Sequence, residues 1–600
     1  MKQLFITLLV ALAVLMPQSM AAYDFVQNGI YYNILSDTEV EVTSYTELNE
    51  VPPADYSGSY YDCVIIPKTV NYDGVSYTVT AIDDYAFCRC MYLQSVAIPN
   101  SVTRIGDYAL AYNPYCDVIC YADPQNTTLG NAVFYAEDYY YDRTLYVPPY
   151  LDYYSWEEMG WTQYFYNIDF TYFEIDDFGY SIISRWQVEA MRYSNQEVEE
   201  VSIPETIDYN GKTFSVTSIG DDLFSNCSNL KSVAIPLCVT SIGERAFLYC
   251  HELIDITIPE YVTTIGKSAF EGCTGLTSIT IPEGVTVLSD RIFQNCQGLT
   301  SITLGNAITS IGADAFYDCK GLTNLRIPNA VTRIGTGAFA GCENITSMII
   351  PNNVTSIGSY AFLRCYLLNN ITIGNSVKSI GDYAFDGCSD LISLNIPRSV
   401  TSIGFRAFSS TASVTSITVE SGNPVYDSRD NCNAIIETSS NTLITGCGVT
   451  AIPKTVTAIG EAAFFNAPYH YVRIPASVTT IGKDAFAGCW IRSVTCLATT
   501  PPTADANLFS NGSTGTLSAS VPNASIPLYQ QAVGWNYFRT FYGLGDVDGD
   551  GELNVSDVID LINEMLNNEQ GVDNPSADFN GDGETNISDI IDLINFLLNN

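Results

Sequence analysis

A repeat solenoid of parallel strands, built as two arrays and followed by a small α-helical module, is the fold that three observations in this 600-residue chain predict. One column recurs every 23 residues without slipping: Ile219, Ile242, Ile265, Leu288, Ile311, Ile334, Ile357, Ile380 and Ile403. A Cys stands eight residues after each of the first eight, at Cys227, Cys250, Cys273, Cys296, Cys319, Cys342, Cys365 and Cys388. Near the C-terminus an acidic, glycine-punctuated loop followed by an apolar helix occurs twice, 32 residues apart. A fixed period in this range lets each turn bury its apolar side only against its neighbours. Such a chain offers a long surface rather than a pocket, which points to binding rather than catalysis.

The first residues, 1–21, read as a secretory signal. Lys2 supplies the positive start, Leu4 to Met16 is an apolar stretch too short to span a membrane, and Ser19-Met20-Ala21 is a small-x-small cleavage site. No second stretch of spanning length follows, so the expectation is a soluble, secreted, extracellular or cell-surface-associated protein. The formal charge of −41 excludes nucleic acid as a partner, because phosphate binding needs Lys and Arg.

One turn of the repeat justifies the strands. Leu230, Val233 and Ile235 have the inward spacing of a short strand, and Pro236, lacking an N–H, ends it. Val239 and Ile242 form a second extended segment, Gly243 is expected to allow a tight reversal, and Ala246-Phe247 to begin one helical turn ending near Cys250. The Cys column, joined by Cys90 and Cys489, should stack roughly 4.8 Å apart. Buried thiols and disulfides between neighbouring turns both fit that spacing, with thiols the plainer expectation.

A duplication divides the arrays. Val70-Asn71-Tyr72-Asp73-Gly74 with Tyr77 and Ile82 matches Ile207-Asp208-Tyr209-Asn210-Gly211 with Phe214 and Ile219. Val147-Pro148 before Gly160-Trp161 matches Val521-Pro522 before Gly534-Trp535. A short array over 22–170 and a long one over 171–544 follow, the second with turns at the nine positions above plus Ile459 and Ile481. The jump from Ile403 to Ile459 implies an insertion near 420–450. Tyr139, Tyr140, Tyr141, Tyr146, Tyr150, Tyr153 and Tyr154, with Trp156 and Trp161, either seal the short array or serve an interface. The outward strand positions of the long array (Thr277, Ser278, Thr280, Thr300, Ser301, Thr303, Asn369, Asn370, Thr372) are either solvated strand residues or a hydrogen-bonding face for a protein or a glycan.

These residues resemble the leucine-rich repeat family in its BspA-like branch, which reads Leu-x-x-Ile-x-Ile-Pro, Val-Thr-x-Ile-Gly, Ala-Phe and Cys. Leu253 to Cys273 and Leu276 to Cys296 match nearly position by position, while Leu288-Ser289 replaces Ile-Gly, and Gly305 and Gly374 replace the Pro. Asn423 to Asn433 is similar to the insertion that interrupts such arrays. The resemblance implies an adhesion solenoid binding a host or extracellular-matrix protein.

In residues 545–600 there are fourteen acidic side chains and no Lys or Arg. Asp546, Asp548 and Asp550 stand at positions one, three and five of a twelve-residue loop, Gly551 at six, Glu552 at seven, offering its carbonyl, and Asp557 at twelve. That is the oxygen-donor spacing of a calcium loop. Asp578, Asn580, Asp582, Glu584 and Asp589 repeat it, so two Ca2+ ions are expected. The helices that follow carry Val558, Ile559, Leu561, Ile562, Met565 and Leu566, then Ile590, Ile591, Leu593, Ile594, Leu597 and Leu598, and their apolar faces should pack on each other. The closing Asp makes the pair resemble a type I dockerin, which implies docking onto a cohesin-like module of a scaffold protein in a polysaccharide-degrading assembly. In that family, loop positions ten and eleven form a Ser/Thr pair contacting cohesin. Ser556 and Ser588 match; Val555 and Ile587 depart from it.

The expectation is therefore that the chain is not an enzyme. Its two His, His251 and His470, lie in no metal-ligand spacing, and no Gly-x-Ser-x-Gly elbow occurs. Three functions remain in order: a protein-binding or adhesion solenoid with a calcium-dependent docking module, an accessory subunit in polysaccharide catabolism, and, distantly, a glycoside hydrolase.

Overall fold

Asp73-Gly74 and Asn210-Gly211 take positive φ (50° and 80°, 49° and 76°), as a two-residue hairpin turn requires. Each joins an antiparallel pair, Thr69–Tyr72 with Val75–Ile82 and Thr206–Tyr209 with Lys212–Ile219. These are the lead-in strands expected from the duplication. The structure, a computed structural model, describes residues 23–44, 60, 62–135, 143–147, 165, 167–506, 508–509, 518–536, 538–548, 550, 552–567, 576–577, 579 and 585–599. The signal at 1–21, Tyr139, Tyr140, Tyr141, Tyr150, Tyr153, Tyr154, Trp156 and Trp161 lie outside them. By packing, the chain forms two compact units: Met1–Asn195 with Pro204–Gly220, and Gln196–Ile203 with Asp221–Asn600.

In the second unit the 23-residue column becomes a parallel sheet in strict register. Leu288, Ile311, Ile334, Ile357, Ile380 and Ile403 each pair with the next. The Leu-x-x-Ile segments form a second set of parallel pairs, such as Ser278–Thr280 with Ser301–Thr303. Inside, Phe247, Phe270, Phe293, Phe316, Phe339, Phe362, Phe385 and Phe408 stack with ring centroids 5.1–5.6 Å apart.

The glycine after each column residue is not a reversal. No Gly of this column has positive φ. A Cβ on Gly335 would instead lie 2.5 Å from the carbonyl carbon of Gly312, and one on Gly358 2.5 Å from that of Gly335. The glycine is there because adjacent backbones touch. The expected helical turn is absent too: residues around Ala246-Phe247 form consecutive tight turns between two left-handed residues, Arg245 (φ 54°) and Tyr249 (φ 58°). That conformation breaks a helix and points alternate N–H groups at the next coil, as in Phe247 N to Ala269 O at 2.8 Å.

The Cys column is buried, and no disulfide joins its turns among the described residues. From Cys250 to Cys388 the thiols donate across one coil to a phenylalanine carbonyl: Cys296 to Phe270 at 3.0 Å, Cys319 to Phe293 at 3.0 Å, Cys342 to Phe316 at 3.1 Å. Cys489 does the same to Phe464 at 2.9 Å. Burial pushes Cys296 and Cys489 up to about 12 from an ordinary 9.0, and Cys273 and Cys319 well above it.

The insertion is a new array opening. Tyr426–Asp427, Ala434–Glu437 and Thr442–Gly446 form an antiparallel meander whose last strand pairs in parallel with Ala458–Ile459. The Tyr426 hydroxyl accepts the Ile403 N–H at 3.1 Å. The far end is closed by Trp535, fully buried, which donates to Pro502 O at 3.1 Å and packs edge-on against Tyr529.

In the first unit, Tyr146 is buried on the strand face and takes a hydrogen bond from Lys212 Nζ at 2.6 Å. The strand Phe178–Ser184, from the hairpin that opens the long array, lies across Asp62–Ile65, Leu93–Ile98 and Asp117–Cys120 of the short array. The short array's strand face is thus covered by this chain's own hairpin.

Phe316→Ala should cost about 3–5 kcal/mol in denaturant unfolding, because it opens the aromatic stack between two fixed neighbours. For the thiols, a folded pKa above the unfolded one means stability is full below about pH 8.5. It should fall as pH rises from there toward 12, since only the unfolded thiols ionise; denaturation midpoints against pH measure this.

Candidate metal centre and exposed faces

The array's last strand, Thr540–Gly543, pairs with Ser518–Val521 and leads within three residues into the first acidic loop. Asp546 is buried, and its N–H bonds Gly543 O at 3.1 Å. Carboxylate oxygens of Asp546, Asp548 and Asp550 lie within 4.8 Å of one another, the latter two exposed. Local hydrogen bonds keep the loop tight: Asp550 N to Asp548 Oδ1 at 3.0 Å and Glu552 N to Asp550 Oδ1 at 2.7 Å.

Asp557 has a different role in this geometry. Its fully buried carboxylate accepts Val547 N at 2.7 Å on Oδ1 and Asn554 N at 2.8 Å on Oδ2, which ties the loop's start to its exit. Oδ1 also accepts Asp548 N at 3.4 Å, so Oδ2, with a second lone pair, is the oxygen that still has an acceptor site to offer. Three hard oxygen donors around one point, with a fourth carboxylate beside them, suit a calcium-sized cation. In the second loop, Asp589 is buried and accepts Asn586 N at 2.8 Å, the same exit geometry. Asp578, Asn580, Asp582 and Glu584 lie outside the described residues, as do Gly549 and Gly551 of the first loop.

The following helices, α1 (Val555–Asn567) and α2 (Ile587–Asn599), pack through only half of their apolar residues. Val558, Leu561 and Leu593 are buried, with Met565, Ile590 and Leu597 against them. The apolar faces thus pack on each other as expected, but six of the twelve residues lie outside that contact. Val555, Ile559, Ile562 and Leu566 point outward at 67, 53, 36 and 78% exposure, and Ile587, Ile591, Ile594 and Leu598 match them at 67, 52, 37 and 78%. The two helices thus present identical apolar stripes, beside which Ser556 and Ser588 are also exposed. Sequence spacing missed this because both faces of each helix are apolar.

On the long array, the strand positions Ser278, Thr280, Ser301 and Thr303 are exposed and border a shallow hollow of about 440 Å³ with Asp255 and Thr257. Among the described residues, no helix is long and apolar enough to cross a membrane.

The BspA type leucine rich repeat region family matches six copies, over residues 58–147, 188–323, 309–432 and 445–531. The dockerin type I domain family matches residues 544–598. No catalytic domain is among these matches. No curated protein matches the chain. Among solved structures, a leucine rich cell surface protein from Faecalibacterium prausnitzii is 24% identical over 62% of this chain and 94% of its own, with a TM-score of 0.39. A leucine-rich repeat protein from Bacteroides ovatus is 23% identical over 79% of this chain and 95% of its own, with a TM-score of 0.35. The repeat matches span more than half of the sequence, and this chain therefore belongs to the BspA type leucine-rich repeat family and carries a C-terminal type I dockerin domain.

Proposed function

We propose that this is an exported, non-catalytic binding protein. Its dockerin attaches it to a cohesin-bearing scaffold outside the cell, and the strand face of the long array recognises a further partner. The observation that carries the reading is the matched pair of exposed stripes on α1 and α2. Eight large apolar residues held in water on so small a module are costly unless another surface covers them. They also account for Val555 and Ile587: where the common Ser/Thr pair would give a polar contact, this dockerin offers an apolar one, flanked by Ser556 and Ser588.

Calcium is the cation the loops suit. Asp546, Asp548, Asp550 and Asp557, with the Glu552 carbonyl, would hold one ion; Asp578, Asn580, Asp582 and Asp589, with the Glu584 carbonyl, would hold the second. Bound calcium supplies the positive charge that offsets the repulsion among fourteen acidic side chains. Membership of a polysaccharide-degrading assembly is the alternative setting for the same docking, and binding of a host protein by the array alone is the competing one. Capture of a cohesin-bearing scaffold that requires calcium supports docking; capture of matrix proteins only, indifferent to calcium, overturns it.

Calorimetric titration of the calcium-free protein should give two sites, and Asp546→Asn with Asp548→Asn should leave one. Because the stripes are equivalent, Ile559→Asp alone should change scaffold affinity little. Ile559→Asp combined with Ile591→Asp should weaken it by about 100-fold or more, the scale of an interface hot spot.

A further inference from the structure

The short array contains a worked example of what a strand face of this protein accepts. Its occupant is the hairpin formed by Phe178–Ser184 and Gln187–Tyr193, whose two-residue turn is Arg185-Trp186. Arg185 is received by neighbouring coils. Its N–H donates to Ser95 Oγ at 3.3 Å, its guanidinium donates to Tyr115 O at 3.0 Å, and its Nε lies 3.7 Å from the buried Asp117 carboxylate. The Tyr121 hydroxyl adds a hydrogen bond to Ile182 O at 2.8 Å.

Ser95 and Asp117 are register partners, and Ser95 stands two residues after the strand's first Leu. The first coils of the long array carry the same pair at the same place. Ser232 and Asp255, each two residues after a Leu, are register partners. Glu200 pairs with Ser232 from the other side, so Ser232 is flanked by two carboxylates. Glu200 and Asp255 are exposed, and Asp255 forms no ion pair among the described residues. Asp255 also borders the 440 Å³ hollow.

One difference separates the two faces. The next outward row is apolar and covered in the short array (Ala97, Ile119, Tyr146), whereas Ala234, Thr257, Thr280 and Thr303 are exposed in the long one. The first row is shielded by the hairpin, and the second, polar from Thr257 onward, stands open to water.

Resting on the reading of the long face as a recognition surface, we propose that its opening coils bind a protein partner through a β-hairpin bearing an arginine at its turn. The guanidinium would sit against Asp255 and Glu200 beside Ser232, and the flanking strand over Thr257, Ser278 and Thr280. With 66 acidic against 25 basic residues, the protein's field also favours approach of a cationic element.

The test uses the full chain and a cyclised peptide of residues 178–193, checked by circular dichroism for its hairpin fold. Fluorescence anisotropy should show binding that weakens with salt and falls about tenfold for Glu200→Gln with Asp255→Asn, and equally for a peptide with Arg185→Ala. A photo-cross-linker at the peptide's turn should label residues between 200 and 280. Absence of binding at millimolar peptide, equal affinity for either altered partner, or labelling confined to residues 95–146 overturns the proposal. Scaffold capture by the same double variant separates the two readings: it should be unchanged, and its loss in the unsubstituted chain would sink docking without touching the hairpin site.

Discussion

Successive coils of the long array meet so closely at one position that Gly fills it in every coil but one, where Ser289 stands and its small hydroxyl donates to Ile265 O at 2.5 Å. At Gly266, Gly312, Gly335, Gly358, Gly381 and Gly404 an added Cβ would come within 2.4–2.6 Å of the neighbouring coil. That approach fixes the spacing at which everything else is satisfied. It places the phenylalanine rings in stacking contact, lets the thiols from Cys250 to Cys388 reach a carbonyl one coil away, and aligns the Thr hydroxyls, as in Thr332 Oγ1 to Thr309 O at 3.1 Å. Covalent cross-links between turns are unnecessary, because backbone and aromatic contacts already hold each coil on both sides.

The parts of this structure that repeat were legible in the sequence, because a residue whose surroundings recur every 23 positions reveals them by its identity. The Ile, Phe and Cys columns are buried as their spacing implies. The turns around the Ala-Phe positions were misread as helical because Arg245, Ser268, Arg291 and Tyr360 are ordinary residues in a left-handed conformation. A signal was present one column on, where Asn226, Gly272, Asn295, Asp318, Gly341 and Gly387 are the residue types that tolerate positive φ.

What the sequence hid were contacts outside the period. Nothing in the spacing joins Arg185 to Ser95 and Asp117, 90 and 68 residues away. The apolar row of Ala97, Ile119 and Tyr146, set against Thr257, Thr280 and Thr303, was the available clue. In the dockerin helices the doublets Val558-Ile559 and Ile590-Ile591 conceal which residue faces inward. The Asp546, Asp548 and Asp550 cluster was legible because its spacing is a local property, yet the service of Asp557 to the backbone emerged only from geometry.

The meander at residues 426–446 has a consequence for how such a molecule changes over time. Its parallel last strand opens a fresh run of coils and Tyr426 meets the preceding one at Ile403, while Ser410 N to Phe465 O at 3.1 Å and the Arg406–Asp484 ion pair carry the stack across it. Whole coils can be gained or lost in phase on either side of it without disturbing either terminus. Reach is therefore the property this architecture leaves most open to adjustment, while the chemistry at its two ends stays intact.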